Sequence, residues 1–149
     1  MAQYEDPPVG FHYALDFGGK IAGFFTSCSG MGSEHEVIEH KVVNEKGKEI
    51  VMKLPGRLKW DNITLKKGIT TNFDLWDWRK QVEDGDVASA RRDGSILLFD
   101  QKAEKVVARW DFLRAWPLKV TTPELKSDGN EVGVEEITIA HEYIARVKA

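Results

Sequence analysis

The chain of 149 residues has one cysteine, Cys28, so an intrachain disulfide is impossible and no CxxC metal site can be drawn. No stretch reaches the ~18 apolar residues of a membrane helix. Residues 1–8 are polar and acidic, without the basic start and apolar core of a signal peptide. The expectation is a protein made and folded in the cytoplasm. Charge is nearly balanced, with 21 basic and 24 acidic residues and a net charge of −3. The two signs interleave and no basic patch emerges, so direct nucleic-acid recognition is not indicated. Ser29 follows Ser27 and Cys28, which breaks the G-x-S-x-G pattern of serine hydrolases. Gly30, Met31 and Gly32 lack the third glycine and the following helix of a dinucleotide fingerprint.

What the chain has instead is alternation. A length of 149 residues suits one domain with one core. Residues 1–10, with Pro7 and Pro8, read as an N-terminal arm, and residues 11–149 as a single domain. Phe11, Tyr13, Leu15 and Phe17 share one strand face, and Gly18 and Gly19 signal a hairpin turn. Residues 33–43 are extended and strongly charged. Residues 44–49 read as a polar loop around Gly47, and the apolar Ile50, Val51 and Met52 fall within the same long connection, residues 43–54. An apolar patch in a loop seeks a partner surface, which marks Lys48, Glu49, Ile50, Val51 and Met52 as a candidate contact.

Pro55 and Gly56 read as a turn feeding a long strand that ends at Gly68. In that strand the apolar phase slips at Asp61 and Asn62, and a later strand slips at Glu135 and Glu136. A β-bulge absorbs such a slip; otherwise the strand serves two surfaces in turn. Asn72 is the N-cap expected for a helix over residues 73–82, with Leu75, Trp78 and Val82 on one stripe. Residues 95–99 read as a buried strand, Pro117 ends the next alternating run, and residues 126–129 form a turn. Eight or nine strands to one helix predict a mainly β fold, a β-sandwich or barrel with one flanking α-helix.

Candidate chemistry is sparse. On a strand, Glu34, Glu36 and His40 share one face, and His35 and Glu39 the other. Carboxylates and imidazoles can bind metal, but a solvated strand face or a polar channel wall explains them more economically. Trp76 and Trp78 point about 200° apart on a helix and cannot form one sugar-stacking platform. Arg91 and Arg92, before Asp93 and Gly94, read as a solvated or interface ion-pair site before a turn. Neither a catalytic constellation nor a cofactor site is expected.

Several blocks carry a resemblance in order: Gly23 and Phe24 with Ser29 and Gly30; Leu54 to Gly56; Trp60 to Gly68; Leu75, Trp76 and Trp78; Ala115 to Pro117; and Ile137 to Glu142. Together they resemble the tail tube (inner tube) proteins of contractile phage tails and bacterial contractile injection systems. The resemblance implies two roughly orthogonal sheets with a flanking helix. It implies six copies in a ring whose joined sheets make one shared barrel around a lumen. Stacked rings would form a rigid tube inside a sheath protein, with baseplate and tube-cap proteins at its ends and a luminal cargo or tape-measure protein within. It also implies that the connection over residues 43–54 reaches a neighbouring subunit. A polar lumen wall would draw on residues 33–43 and 131–145, with Glu34, Glu36 and His40 as one inward set. The alternative is a monomeric β-barrel that binds a small apolar ligand in a pocket.

Overall fold

A computed structural model describes residues 12–100, 102, 104–122, 125, 127 and 133–149. The expected arm at residues 1–10 and most of the turn at residues 126–129 lie outside the described residues. Within them the order is β1 (His12–Phe17), β2 (Lys20–Phe25), β3 (Ser27–Ser29), β4 (Ser33–Val43), β5 (Glu49–Trp60), β6 (Ile63–Gly68), α1 (Asp74–Glu83), α2 (Val87–Ala90), β7 (Arg92–Phe99), β8 (Val106–Thr121), β9 (Val134–Ala140) and β10 (Tyr143–Val147).

The strands form two packed layers that share β8. Its first half pairs with β7 on one side and β10 on the other, and β7 leads to β1 and then β2. Its second half pairs with β9, which leads to β6 and then β3. Every one of these pairings is antiparallel. The halves of β8 meet at Arg114, whose φ of 51° lies in the left-handed region. Leu15, Phe25, Ile96 and Phe112 from one layer meet Ile63, Leu65, Ile137 and Ile139 from the other, and Leu75 and Trp78 of α1 complete the core. Truncating an aromatic of this kind, such as the fully buried Phe112, typically costs about 3–5 kcal/mol.

Several expectations are corrected. Residues 43–54 are not one long loop: the turn is short, and β5 begins at Glu49. Asn44 organises that turn, its side-chain Oδ1 accepting from the backbone of Lys46 and Lys48. Gly47, with φ of 75°, supplies the left-handed residue. Pro55 and Gly56 lie inside β5, where the register to β4 shifts between His35 and Val37. Proline is tolerated there because β5 is an edge strand at a bulge. Pro117 likewise lies within β8, beside another register shift.

The slip at Asp61 and Asn62 is a break between β5 and β6. At Glu135 and Glu136 no bulge absorbs the slip: β9 alternates regularly, so Val134 faces away from Ile137 and Ile139, and Glu135 occupies the buried position in line with them. A charge had taken the place of an apolar residue. Helix α1 starts at Asp74, and Asn72 Oδ1 accepts from the Asp74 N–H at 2.8 Å. Asp93 and Gly94 are strand rather than turn. Arg92 stacks its guanidinium over Phe17 and Trp78, at 5.4 Å from each ring, instead of sitting in a solvated ion pair.

Candidate functional site: the assembly surface

The most exposed ordered structure is the β4–β5 hairpin, a two-stranded sheet separate from both layers. Lys48 lies in its turn, Glu49, Ile50, Val51 and Met52 on β5, and Glu34, Glu36 and His40 on β4. Antiparallel partners share a face. Toward the tip one face therefore presents Ile38 with Leu54, His40 with Met52, and Val42 with Ile50. Nearer the root the same face carries Glu34, Glu36 and Lys59, with Lys59 Nζ 3.5 Å from Glu36. The opposite face is mixed toward the tip, with Lys41 3.9 Å from Glu49 beside the exposed Val43 and Val51, and apolar toward the root, with Trp60, Leu58 and Val37. The bulge at Gly56 is bridged by His35, whose Nδ1–H donates to the Gly56 carbonyl at 3.3 Å.

This surface is greasy without being covered. Val37, Ile38, Ile50, Met52, Leu54 and Leu58 are each at least 40% exposed. An apolar ribbon of that extent is costly to leave in water and marks an interaction site. His35 and His40 lie on opposite faces, so the two imidazoles do not converge.

The second feature is a pair of strand edges. In the described residues β2 pairs only with β1, and β10 only with β8. They bound the same layer on opposite sides. Ile21 and Phe24 on β2 and Tyr143 on β10 are exposed. Natural edges meant to stay alone are usually guarded by charge, proline or bulges; β2 has one register shift, opposite Leu15 and Asp16, but both edges still present large apolar side chains.

The outer face of that layer holds a polar row. Asp16, Ser95 and Asp111 are direct cross-strand neighbours. The Ser95 hydroxyl donates to Asp111 Oδ1 at 2.6 Å, and Arg109 Nε donates to the same oxygen at 2.7 Å. Burial pushes the Asp111 carboxyl up, but the hydrogen bonds from Ser95 and Arg109 and the Arg109 charge outweigh it and hold the group below its ordinary value. Cys28 is in the opposite situation: burial pushes its thiol up to about 12, which makes it a poor nucleophile.

Sequence reasoning missed the pair Lys67 and Glu135, cross-strand neighbours on β6 and β9. Trp76 Nε1–H donates to Glu135 Oε1 at 3.1 Å, tying α1 to the second layer. The signal was present as a carboxylate in the apolar phase of β9. Among the described residues, no helix is long and apolar enough to cross a membrane.

A packed two-layer β domain with an apolar hairpin and two open edges defines a class of self-assembling structural subunit. The comparisons give the family. The model of the T4-like virus tail tube protein gp19 family matches residues 9–145, and the chain belongs to that family, the tail tube proteins. It is similar to a chain of the anti-feeding prophage cap, the tube-terminating cap, at 25% identity and TM-score 0.72, over 100% of this chain and 95% of that one. It is also similar to a chain of the PVC sheath-tube complex in the extended state, an extracellular contractile injection system, at 24% identity and TM-score 0.74, over 97% and 94% of the two chains. Hcp1 from Flavobacterium johnsoniae shares the fold at 13% identity and TM-score 0.54, over 91% of this chain and 94% of its own. Among curated proteins none matches the sequence.

Proposed function

We propose that the chain is the inner-tube subunit of a contractile injection system or phage tail, and that it works by assembling rather than by catalysis or by binding a cofactor. The observation that carries this is the pair of open, apolar edges on one layer. Pairing β2 of one copy with β10 of the next removes both edges. Such a heterologous contact forms a ring when the rotation between copies closes, and in a closed ring both edges of this layer are paired in every subunit. Six copies, as the resemblance implies, would make one barrel shared around a lumen. A sheath outside, and a cap and baseplate at the ends, are the partners expected from the relatives' assemblies; a luminal cargo or tape-measure protein completes the set.

The hairpin supplies the second contact. Its apolar tip face, with Ile50 and Met52 at the centre, packs on another subunit, and Lys48 in the turn with Glu49 and Val51 on the reverse face extend the contact around the tip. Ile38, Leu54 and Val42 share that face with His40, and a bore lined by them would grip cargo. The lumen proposal for Glu34, Glu36 and His40 is thereby weighted toward the two glutamates at the root. The competing reading, a monomeric carrier of an apolar ligand, loses support because the space between the layers is filled by Trp78, Phe112, Phe25 and their neighbours.

Negative-stain microscopy at high protein concentration tests the reading. Rings or tubes of uniform bore are expected. The double substitution Ile50→Asp and Met52→Asp should leave the subunit folded and reduce stacking. Featureless monomers of the unaltered protein at every concentration would overturn the proposal.

A further inference from the structure

The hairpin is mechanically isolated. Among the described residues β4 and β5 pair with each other and with no other strand; only the root of β5 packs on the domain, where Trp60 lies against the core and Tyr143. With eleven residues in β4, the ribbon reaches about 33 Å from its root. A swing of about 10° at the root moves the tip by about 6 Å over that length. Side chains seated on a second copy tolerate far less, so the root must fix the direction.

Few groups are available to do so. At the root, the Asp61 N–H donates to the Gly32 carbonyl at 3.2 Å. The chain also crosses itself closely there: a Cβ on Gly30, at φ of 81°, would fall 1.9 Å from the Asn62 carbonyl oxygen. These bonds hold the two root strands to each other. Alongside the Trp60 packing, a side-chain hydrogen bond ties the root to the domain, and it comes from His141, in the break between β9 and β10. Its Nε2 lies 2.9 Å from the Asp61 carbonyl oxygen. A carbonyl only accepts, so Nε2 carries the proton. The other nitrogen, Nδ1, is buried without a hydrogen-bond partner. The Trp60 ring lies 6.0 Å from the His141 ring and 5.3 Å from that of Tyr143, the latter edge-on.

An unpaired buried nitrogen costs stability, and an aliphatic residue at this position would avoid that cost. What a histidine adds is a directed donor to Asp61 and a flat ring beside Trp60. We propose that His141 is the positioning residue of the hairpin, aiming its apolar face at the second copy of the chain that receives it. The inference rests on the tube-subunit reading for its purpose, but the aiming is a property of the single chain.

The test is a pulsed-EPR distance between spin labels at Lys46→Cys, in the turn, and Asp84→Cys, at the end of α1, with Cys28→Ala in the background. The otherwise unaltered protein should give one narrow distribution. His141→Ala should broaden it by several ångströms and raise the concentration needed for tubes, with no loss of the folded β signal. His141→Gln, which keeps an amide donor, should restore both. If His141→Ala does not fold, Trp60→Leu carries the test, because it removes the ring contact and leaves the Asp61 carbonyl in place. An unchanged narrow distribution in the folded variant overturns the inference. If the wild type forms no tubes but the broadening appears, the aiming stands and the tube reading fails.

Discussion

Lys67 Nζ and Glu135 Oε2 lie 3.9 Å apart between directly paired positions of β6 and β9, with side chains only 6% and 9% exposed. Oε1 accepts from Trp76, whereas Oε2 has no hydrogen bond, so the ammonium and carboxylate meet as charges rather than as a close bonded pair. Desolvating two ions is expensive, and the pair's own attraction roughly offsets it. Removing one partner strands the other. Lys67→Met or Glu135→Leu alone should lower stability by about 3 kcal/mol or more, and the double variant should recover most of the loss. Denaturant midpoints with unchanged slopes measure this; additive losses in the double variant would contradict it.

Arg114 sits at the corner of β8 with φ of 51°. Its N–H donates to Asp93 Oδ1 at 2.9 Å, and its guanidinium meets Glu142 at 2.8 Å. Both charged side chains are more than half exposed, so that ion pair contributes little. The backbone decides. Arg114→Gly should stay within about 1 kcal/mol of the wild type, while Arg114→Val, β-branched and ill-suited to this region, should cost about 2 kcal/mol. Thermal unfolding compares them; equal losses would show that the side chain matters more than the conformation.

With its thiol at about 12, Cys28 exposes only about one part in ten thousand as thiolate at pH 8. A thiol-reactive disulfide reagent should label the native protein at a rate set by opening, and the unfolded protein at once. Rapid labelling under native conditions would place Cys28 in a more open setting.

Asp111 gives a pH dependence of definite sign. A carboxyl held below its unfolded value, about 3.9, adds stability above that value and loses it as pH falls through the folded one. Asp111→Asn should therefore be slightly less stable than the wild type near neutrality, by at most about 1 kcal/mol for a side chain this exposed. The gap should close in acid, below about pH 3. Melting temperatures of both proteins from pH 2 to 7 check this; a gap that widens in acid would reverse the assignment.

Much of the fold was legible because its strands obey simple rules. Leu15, Phe112 and Ile139 fall where alternation puts them, Ile96 lies in the run read as a buried strand, and Leu75 and Trp78 fall where helical spacing puts them. The failures have one physical origin each. Glu135 broke the apolar phase because Lys67, far away in sequence, neutralises it. Pro55 and Pro117 looked like stops because the edge positions and register shifts that tolerate them exist only in the paired sheet. Ile50 to Met52 looked like loop because three consecutive apolar residues show no alternation, and β5 is exposed on both faces, so burial imposed none. His141 carried no local signal: its significance depends on a contact 80 residues away, to the Asp61 carbonyl.

The central claim is that this subunit completes itself by edge pairing and hairpin docking with its own copies. A cryo-EM map of the assembled protein with side chains resolved tests it most directly. The account predicts a hexameric ring in which β2 of one subunit hydrogen-bonds β10 of the next, and in which Ile38, Ile50 and Met52 are buried against another copy. A map in which both edges remain unpaired and the hairpin stands free in solvent would contradict it.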